Sequence, residues 1–453
     1  MDRPARDEYE PLAGVDNYAG HEGDVLEASL VLDRHDVPFS RIEYGIFAFL
    51  GLSMLWAWNM FLAAAPYFAS RFAADAWVSS NFQSAILTLS TLPNLTTILI
   101  LAHSQHTASY PFRISLALIT NSVLFALLTC STQLFLDASP RAYLAFLLTI
   151  VACSAWATGL IQNGAFAFAG SFRRPEYMQA LMAGQGVAGV VPAIAQVVAV
   201  VLFPPNSDSA VSSASPAARG GQTSAFLYFL AAVVVSVVAL LAILPLFRRH
   251  RRIVEGRMAE CMTESLTSVD DAERAARKVT SLRHLFRKLH WLALGVALTF
   301  ATTMFFPVFT AKIRSVQEDK GLLFRPEVFV PLGFFFWNLG DLAGRMATIL
   351  PISLSHRPRL LFLLSVLRVV QLPLYLLCNV GGRGAVVPSD FFYLFVVQLT
   401  FGLTNGWLGS SFMIASGDWV DEGEREATGG FMGLFLVVGL TTGSLLSFTL
   451  SSL

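Results

Sequence analysis

The chain is poor in charge. Only 14% of its 453 residues are Asp, Glu, Lys or Arg, against about 25% in an ordinary soluble domain, while 55% are hydrophobic. This shortage excludes a string of soluble domains of about 150 residues each. Basic and acidic residues both number 31, so the net charge is zero, and nothing points to nucleic acid or to an acidic partner. Cysteine is scarce as well. Cys130, Cys153, Cys261 and Cys378 form no CxxC, and three of them lie in apolar runs. They read as small core hydrophobes, not as a disulfide framework or a zinc site. No H-E-x-x-H, nucleophile elbow or Walker A motif occurs, so the reading is of a non-enzyme with no catalytic residues, metal ligands or cofactor. Few His or Glu residues fall within the apolar runs, which leaves a proton relay little to run on.

The chain is rich in long apolar runs. A spanning helix needs about 20 mostly apolar residues, and about eleven stretches qualify. They lie near 44–68, 80–102, 112–136, 143–168, 178–202, 223–247, 289–310, 326–350, 360–379, 389–415 and 428–450. A barrel would instead need alternating segments of about 10 residues. The expectation is an all-α polytopic membrane protein with about eleven transmembrane helices in a 6+5 bundle. Residues 1–43 form a polar N-terminal tail, 44–247 a six-helix half, 248–288 a basic loop and 289–453 a five-helix half. The tail lacks the basic and apolar regions of a cleaved signal, so the first apolar run is read as an uncleaved insertion signal. Basic residues concentrate in the loops around Arg173 and Arg174, Arg357 and Arg359, and RRHRR at 248–252. All three loops fall on one side, which places the N-terminus in the cytosol. The Ser/Ala/Gly/Pro-rich stretch from Pro204 to Gln222 reads as flexible. The sequence ESLTSVDDAERAARKV reads as a short amphipathic helix on anionic lipid.

Charge inside the apolar runs carries the functional reading. FFFWNLGDLAGRMATIL, Phe334 to Leu350, holds Asp341 and Arg345 four residues apart, on one helix face. An ionised side chain near the bilayer centre costs at least about 2.5–3.5 kcal/mol. Such a pair marks a substrate or ion path, or else only locks two helices together. Trp58, in LWAWN, lies at mid-span, where it needs a packing surface and an N–H partner; it is a stacking platform or a packed aromatic beside an Asn59 hydrogen bond. Gln162 and Asn163 are either interhelical ties or ligand contacts. GQGVAG at 184–189 matches the letters of a dinucleotide motif but has no strand before it, so its glycines read as a close helix approach. Asn94-Leu-Thr fits a glycosylation sequon but lies within a span. Pro307, Pro331, Pro351 and Pro373 can kink helices, and Asn405-Gly406 adds a polar break.

Six motifs in order resemble the equilibrative nucleoside transporter family: GLSMLWAWNMFLAAAPYF, QNGAFAFAGSFRRPEYMQALMAGQGVAG, TFATTMFFPVF, WNLGDLAGR, RVVQLPLYLLCN and TNGWLGSSFM. The resemblance implies a bundle similar to the major facilitator fold and alternating access for nucleosides such as adenosine and uridine. It places Trp58 and Gln162 toward the nucleobase, and Asp341 and Arg345 near the ribose. Asn338 and Asn59 take orienting roles, and Leu55 and Leu62 line the cavity. Ala57 replaces the family's proline in the first span, which leaves a kink there unsupported. The chain is expected to work as a monomer in a lipid bilayer, in the plasma membrane or a vacuolar or lysosome-like membrane. The alternatives are a carrier of another small polar solute, such as a nucleobase, sugar or drug, and a membrane enzyme or scaffold. The first differs in its loops: HSQHTASYPFR, after the second span, has no acid, unlike the signature of major facilitator sugar carriers. The second lacks clustered nucleophiles or metal ligands.

Overall fold

A computed structural model describes residues 39–103, 109–202, 216–264, 281–350 and 353–451, and the account below concerns the unit Ser40–Leu453. The chain is helical in the order α1 Arg41–Ala63, α2 Ala65–Phe72, α3 Ala76–His103, α4 Tyr110–Leu134, α5 Pro140–Ser171, α6 Pro175–Leu202 and α7 Pro216–Glu264. There follow α8 Leu282–Thr303, α9 Phe306–Thr310, α10 Pro326–Ala347, α11 Pro358–Arg368, α12 Thr400–Ala415 and α13 Arg425–Ser451. Among the described residues, nine helical segments are long and apolar enough to cross a membrane. The charged α10 and the composite helix ending in α12 are added to these. Leu227, Leu241, Val370 and Leu446 are each more than half exposed, as expected where lipid replaces water as solvent.

Local chemistry sets the helix ends. The Asp75 carboxylate accepts from the N–H groups of Trp77 and Val78 at 3.1 and 3.2 Å and caps α3. Ser139 accepts from Ala142 N–H, with Pro140 opening α5; proline suits this position because its missing N–H would have no partner anyway.

The breaks differ in part from expectation. α1 runs unbroken through Ala57, and the first span instead breaks at Ala64, where Pro66 opens α2. Pro307 opens α9 after the α8 helix stops at Thr303. Pro373 lies in a 3₁₀ stretch, Val369–Leu377, that continues α11. Pro331 sits inside α10 without breaking it. A π-helical stretch, Phe392–Leu399, leads into α12. The sixth span extends well past 247, through RRHRR to Glu264, because Arg, Glu and Ala are strong helix formers. Of the segment read as flexible, Pro216 to Gln222 is helical. The N-terminal tail through residue 38, residues 203–215, the stretch 265–280 that holds most of the amphipathic segment, and Pro351 lie outside the described residues.

Glycine decides which helices touch. A Cβ on Gly184 of α6 would lie 1.8 Å from the Ala48 carbonyl oxygen of α1, and one on Gly51 would lie 2.0 Å from the Leu181 carbonyl oxygen. The same relation joins α10 to α12: a Cβ on Gly406 would lie 1.9 Å from the Asp341 carbonyl oxygen. These contacts are backbone against backbone, so only glycine allows them. Two aromatic clusters fill the space beside these seams. One gathers Phe68, Phe72, Phe125, Tyr143 and Phe229; the other gathers Phe306, Trp337, Tyr375, Tyr393 and Phe401.

Ion pairs tie the end of the bundle that carries the basic residues. Glu43 accepts from Tyr177 Oη at 2.5 Å and pairs with Arg249. Glu424 is 1% exposed; its Oε2 pairs with Lys288 at 2.7 Å, and its Oε1 lies 3.1 Å from His284 Nε2. Burial alone would raise the Glu424 carboxyl. The Lys288 hydrogen bond, the Asp421 N–H and the Lys288 charge together outweigh it and hold the carboxyl below its ordinary value.

Gly184→Ala should force α1 and α6 apart, at a cost of about 1–3 kcal/mol or more; a fall in melting temperature of the detergent-purified protein measures it. A carboxyl depressed in the folded state stabilises above its unfolded pKa, and that stability is lost as pH falls through the folded value. Melting temperature should therefore drop as the medium is acidified below about pH 4.5, and Glu424→Gln should flatten that acid limb.

Candidate functional site

Asp341 and Arg345 are both 4% exposed. Arg345 Nε donates to Asp341 Oδ2 at 2.7 Å, one turn along α10. The other carboxylate oxygen, Oδ1, accepts from Asn405 Nδ2 of α12 at 2.7 Å. Arg345 Nη1 donates to the Met182 carbonyl at 2.9 Å and to Gln185 Oε1 at 3.2 Å, both on α6. The pair thus joins α10 to α12 on one side and to α6 on the other. Each ion has a countercharge and added hydrogen bonds, the condition under which buried charges are tolerated. The carboxylate has about four lone-pair sites, so it keeps acceptor capacity beyond these two bonds.

The stretch of α6 from Met182 to Gly189 is common ground for three of the predicted residues. Beyond Arg345, Asn59 Nδ2 of α1 donates to the Ala188 carbonyl at 2.8 Å. Asn338 of α10 lies against Gly189, where a Cβ would come within 2.2 Å of Asn338 Oδ1; its own Nδ2 donates to the Phe334 carbonyl. The GQGVAG glycines are therefore helix-approach residues, as their surroundings in the sequence imply.

The other predicted residues stand apart from this joint. Gln162 of α5 is 4% exposed, and its Oε1 accepts from Asn94 Nδ2 of α3 at 3.4 Å. The sequon asparagine is thus buried between helices. Asn163 accepts from Arg113 Nη1 at 2.5 Å. Trp58 is half-buried against the Phe68–Phe229 aromatic cluster. Leu55 is half-buried, and Leu62, near the α1 break, is 51% exposed.

Three groups escaped the sequence reading. Asn405 was legible as a polar break but not as the second holder of Asp341. Gln185 was hidden inside a glycine motif. Trp337 stacks on Phe306 with ring centroids 3.9 Å apart, and its buried indole N–H, like that of Trp56, meets no acceptor among the described residues. An indole donor in an otherwise apolar helix is the signal that marks both tryptophans.

Residues 147–452 match the family model described as "Nucleoside transporter". The chain is 28% identical to Nucleoside transporter FUN26 of Saccharomyces cerevisiae, over 96% of this chain and 88% of that one. It is 27% identical to Equilibrative nucleoside transporter 2 of Homo sapiens, over 93% and 99% of the two chains. Its fold is similar to that of the E. coli fucose:proton symporter FucP, a major facilitator transporter, with a TM-score of 0.56 at 14% identity over 91% and 92% of the two chains. A charged pair at a seam of glycine-packed apolar helices, a major-facilitator-like fold and a match over more than half the length lead to one statement: the chain belongs to the nucleoside transporter family.

Proposed function

We propose that the chain carries nucleosides across a membrane by passive alternating access, with the sugar hydroxyls hydrogen-bonded to Asp341. The observation that carries this reading is the Asp341 carboxylate, held by Arg345 and Asn405 at the junction of α10, α12 and α6. A nucleoside is a flat base on a polyhydroxyl sugar. It needs a carboxylate to accept hydroxyl protons, an amide for the base edge and an aromatic face. Gln162 and Trp58 supply the last two, Leu55 and Leu62 the apolar walls, and Asn338 and Asn59 orient α10 and α1 where they face α6.

The six spans before the basic segment and the five after it act as two bodies. α6 belongs to the first body, and α10 and α12 to the second, so the Arg345 bonds to Met182 and Gln185 cross between them. In the conformation described, Asp341 is 4% exposed. A sugar reaches it only when α6 and α10 separate, so opening and binding are one event. The basic end faces the cytosol, and purine and pyrimidine nucleosides share the site through their common ribose.

Uptake into proteoliposomes should be saturable for adenosine and uridine without an ion gradient, equal at pH 5.5 and 7.4, and not competed by hexoses. Asp341→Ala should lower uridine uptake at least about tenfold, as expected for loss of a charge-assisted hydrogen bond worth about 1.5–3 kcal/mol, while the protein still inserts. Near-normal uptake by this variant would rule out the sugar contact.

A further inference from the structure

Arg368, the last residue of α11, is 2% exposed at membrane depth, and no carboxylate among the described residues lies within ion-pair distance of it. Its donors go to neutral oxygens. Nη1 donates to the Thr299 carbonyl of α8 at 2.7 Å, and Nη2 to the Phe401 carbonyl of α12 at 3.2 Å. Nε donates to Thr404 Oγ1 at 3.2 Å, and the guanidinium lies over the Phe401 ring, 4.1 Å from its centroid. A buried cation whose direct bonds reach only backbone carbonyls, a hydroxyl and a ring is costly and calls for a function by default.

The two carbonyls it occupies share a property. Each is the acceptor to which a nearby threonine hydroxyl would turn back, the usual habit of threonine in a membrane helix. Thr303 Oγ1 lies 2.9 Å from the Thr299 carbonyl and 2.5 Å from Asn405 Oδ1. Thr404 Oγ1 lies 3.1 Å from the Phe401 carbonyl and 2.9 Å from Gln371 Oε1. A hydroxyl has one proton to donate. The helix ladder takes one lone pair of each carbonyl, and Arg368 takes the other. The proton of Thr303 is then left for Asn405.

That proton sets the sense of the Asn405 amide. With Thr303 donating, Asn405 Oδ1 faces the hydroxyl, and Nδ2 faces Asp341 Oδ1 at 2.7 Å. Were the proton turned back to Thr299, two acceptor oxygens would meet, and the amide would no longer be held in the orientation that serves the carboxylate. We propose that Arg368 is a positioning residue for the substrate site: by capping the Thr299 carbonyl it commits the Thr303 hydroxyl to Asn405, and Asn405 to Asp341. This rests on the reading that Asp341 meets the sugar hydroxyls.

The test compares uptake of uridine with that of 2′,3′-dideoxyuridine, which lacks those hydroxyls, each normalised to inserted protein. Thr303→Val keeps the shape and removes the proton. It should cut the preference for uridine about tenfold and leave dideoxyuridine uptake nearly unchanged. Arg368→Lys keeps the charge but presents its donors from one point, so it cannot cap both carbonyls. It should lose part of the preference alone and nothing further in a Thr303→Val background, because the two act through one contact. Equal loss for both nucleosides, or losses that add in the double variant, would overturn the proposal. Asp341→Asn separates the two readings. If it keeps the uridine preference, the sugar contact and the relay both fall. If it abolishes the preference while Thr303→Val keeps it, the relay alone falls.

Discussion

A carboxylate and a guanidinium placed at membrane depth set the terms for the rest of this structure. Neither is stable there alone, and a simple pair still leaves donors and acceptors over. The structure meets this demand by bringing three helices to one point. Asp341 takes its bonds from its own helix and from α12, and Arg345 sends its remaining donors to α6. For those helices to come close enough, their facing residues must be nearly absent. The glycines supply that: Gly186 where α6 meets α10 at Leu342 and Arg345, and Gly406 where α12 meets α10 at the Asp341 backbone carbonyl.

The arrangement has a consequence for motion. Bonds within α10 and between α10 and α12 hold the carboxylate in shape. Bonds from Arg345 to α6 are few and end on a carbonyl and an amide, which water or a polar ligand can replace. The carboxylate is therefore held firmly on the α12 side of the seam and by fewer, replaceable bonds on the α6 side, an arrangement that suits the opening proposed above. Besides the break at Ala64 in the first span, three irregular stretches fall in the helices after the basic segment. The α8–α9 break, the 3₁₀ run of Val369–Leu377 and the π-helical run of Phe392–Leu399 meet around Gln398, which donates to Thr310 and Tyr393 and accepts from Tyr375. One buried amide there satisfies groups at three departures from regular helix.

Much of this was legible in the chain before any coordinates. Long apolar runs in a bilayer allow only a helix or a closed barrel, and their length chose the helix. The Asp341 and Arg345 spacing put both on one helix face, and GQGVAG inside an apolar run marked a helix contact. Less visible were the partners. Asn405 and Gln185 are distant in sequence from Asp341, and nothing local in either segment names the helix it will meet. With Ala57 in place of the family's proline, a kink there had no support, and α1 runs unbroken through it; the break at Ala64, before Pro66, had not been anticipated. The continuation of α7 through RRHRR was missed because charge ends a membrane run without ending a helix.

The sequence by itself determined the medium, the secondary structure and the presence of an intramembrane charge pair. Each of these follows from composition and from spacing within one segment. Tertiary structure alone decided what holds the charge. The second bond to Asp341, the anchoring of Arg345 on α6 and the capping of two carbonyls by Arg368 depend on which helices lie side by side. That adjacency is set by packing among many glycines and aromatic rings at once, and no single stretch of the chain encodes it.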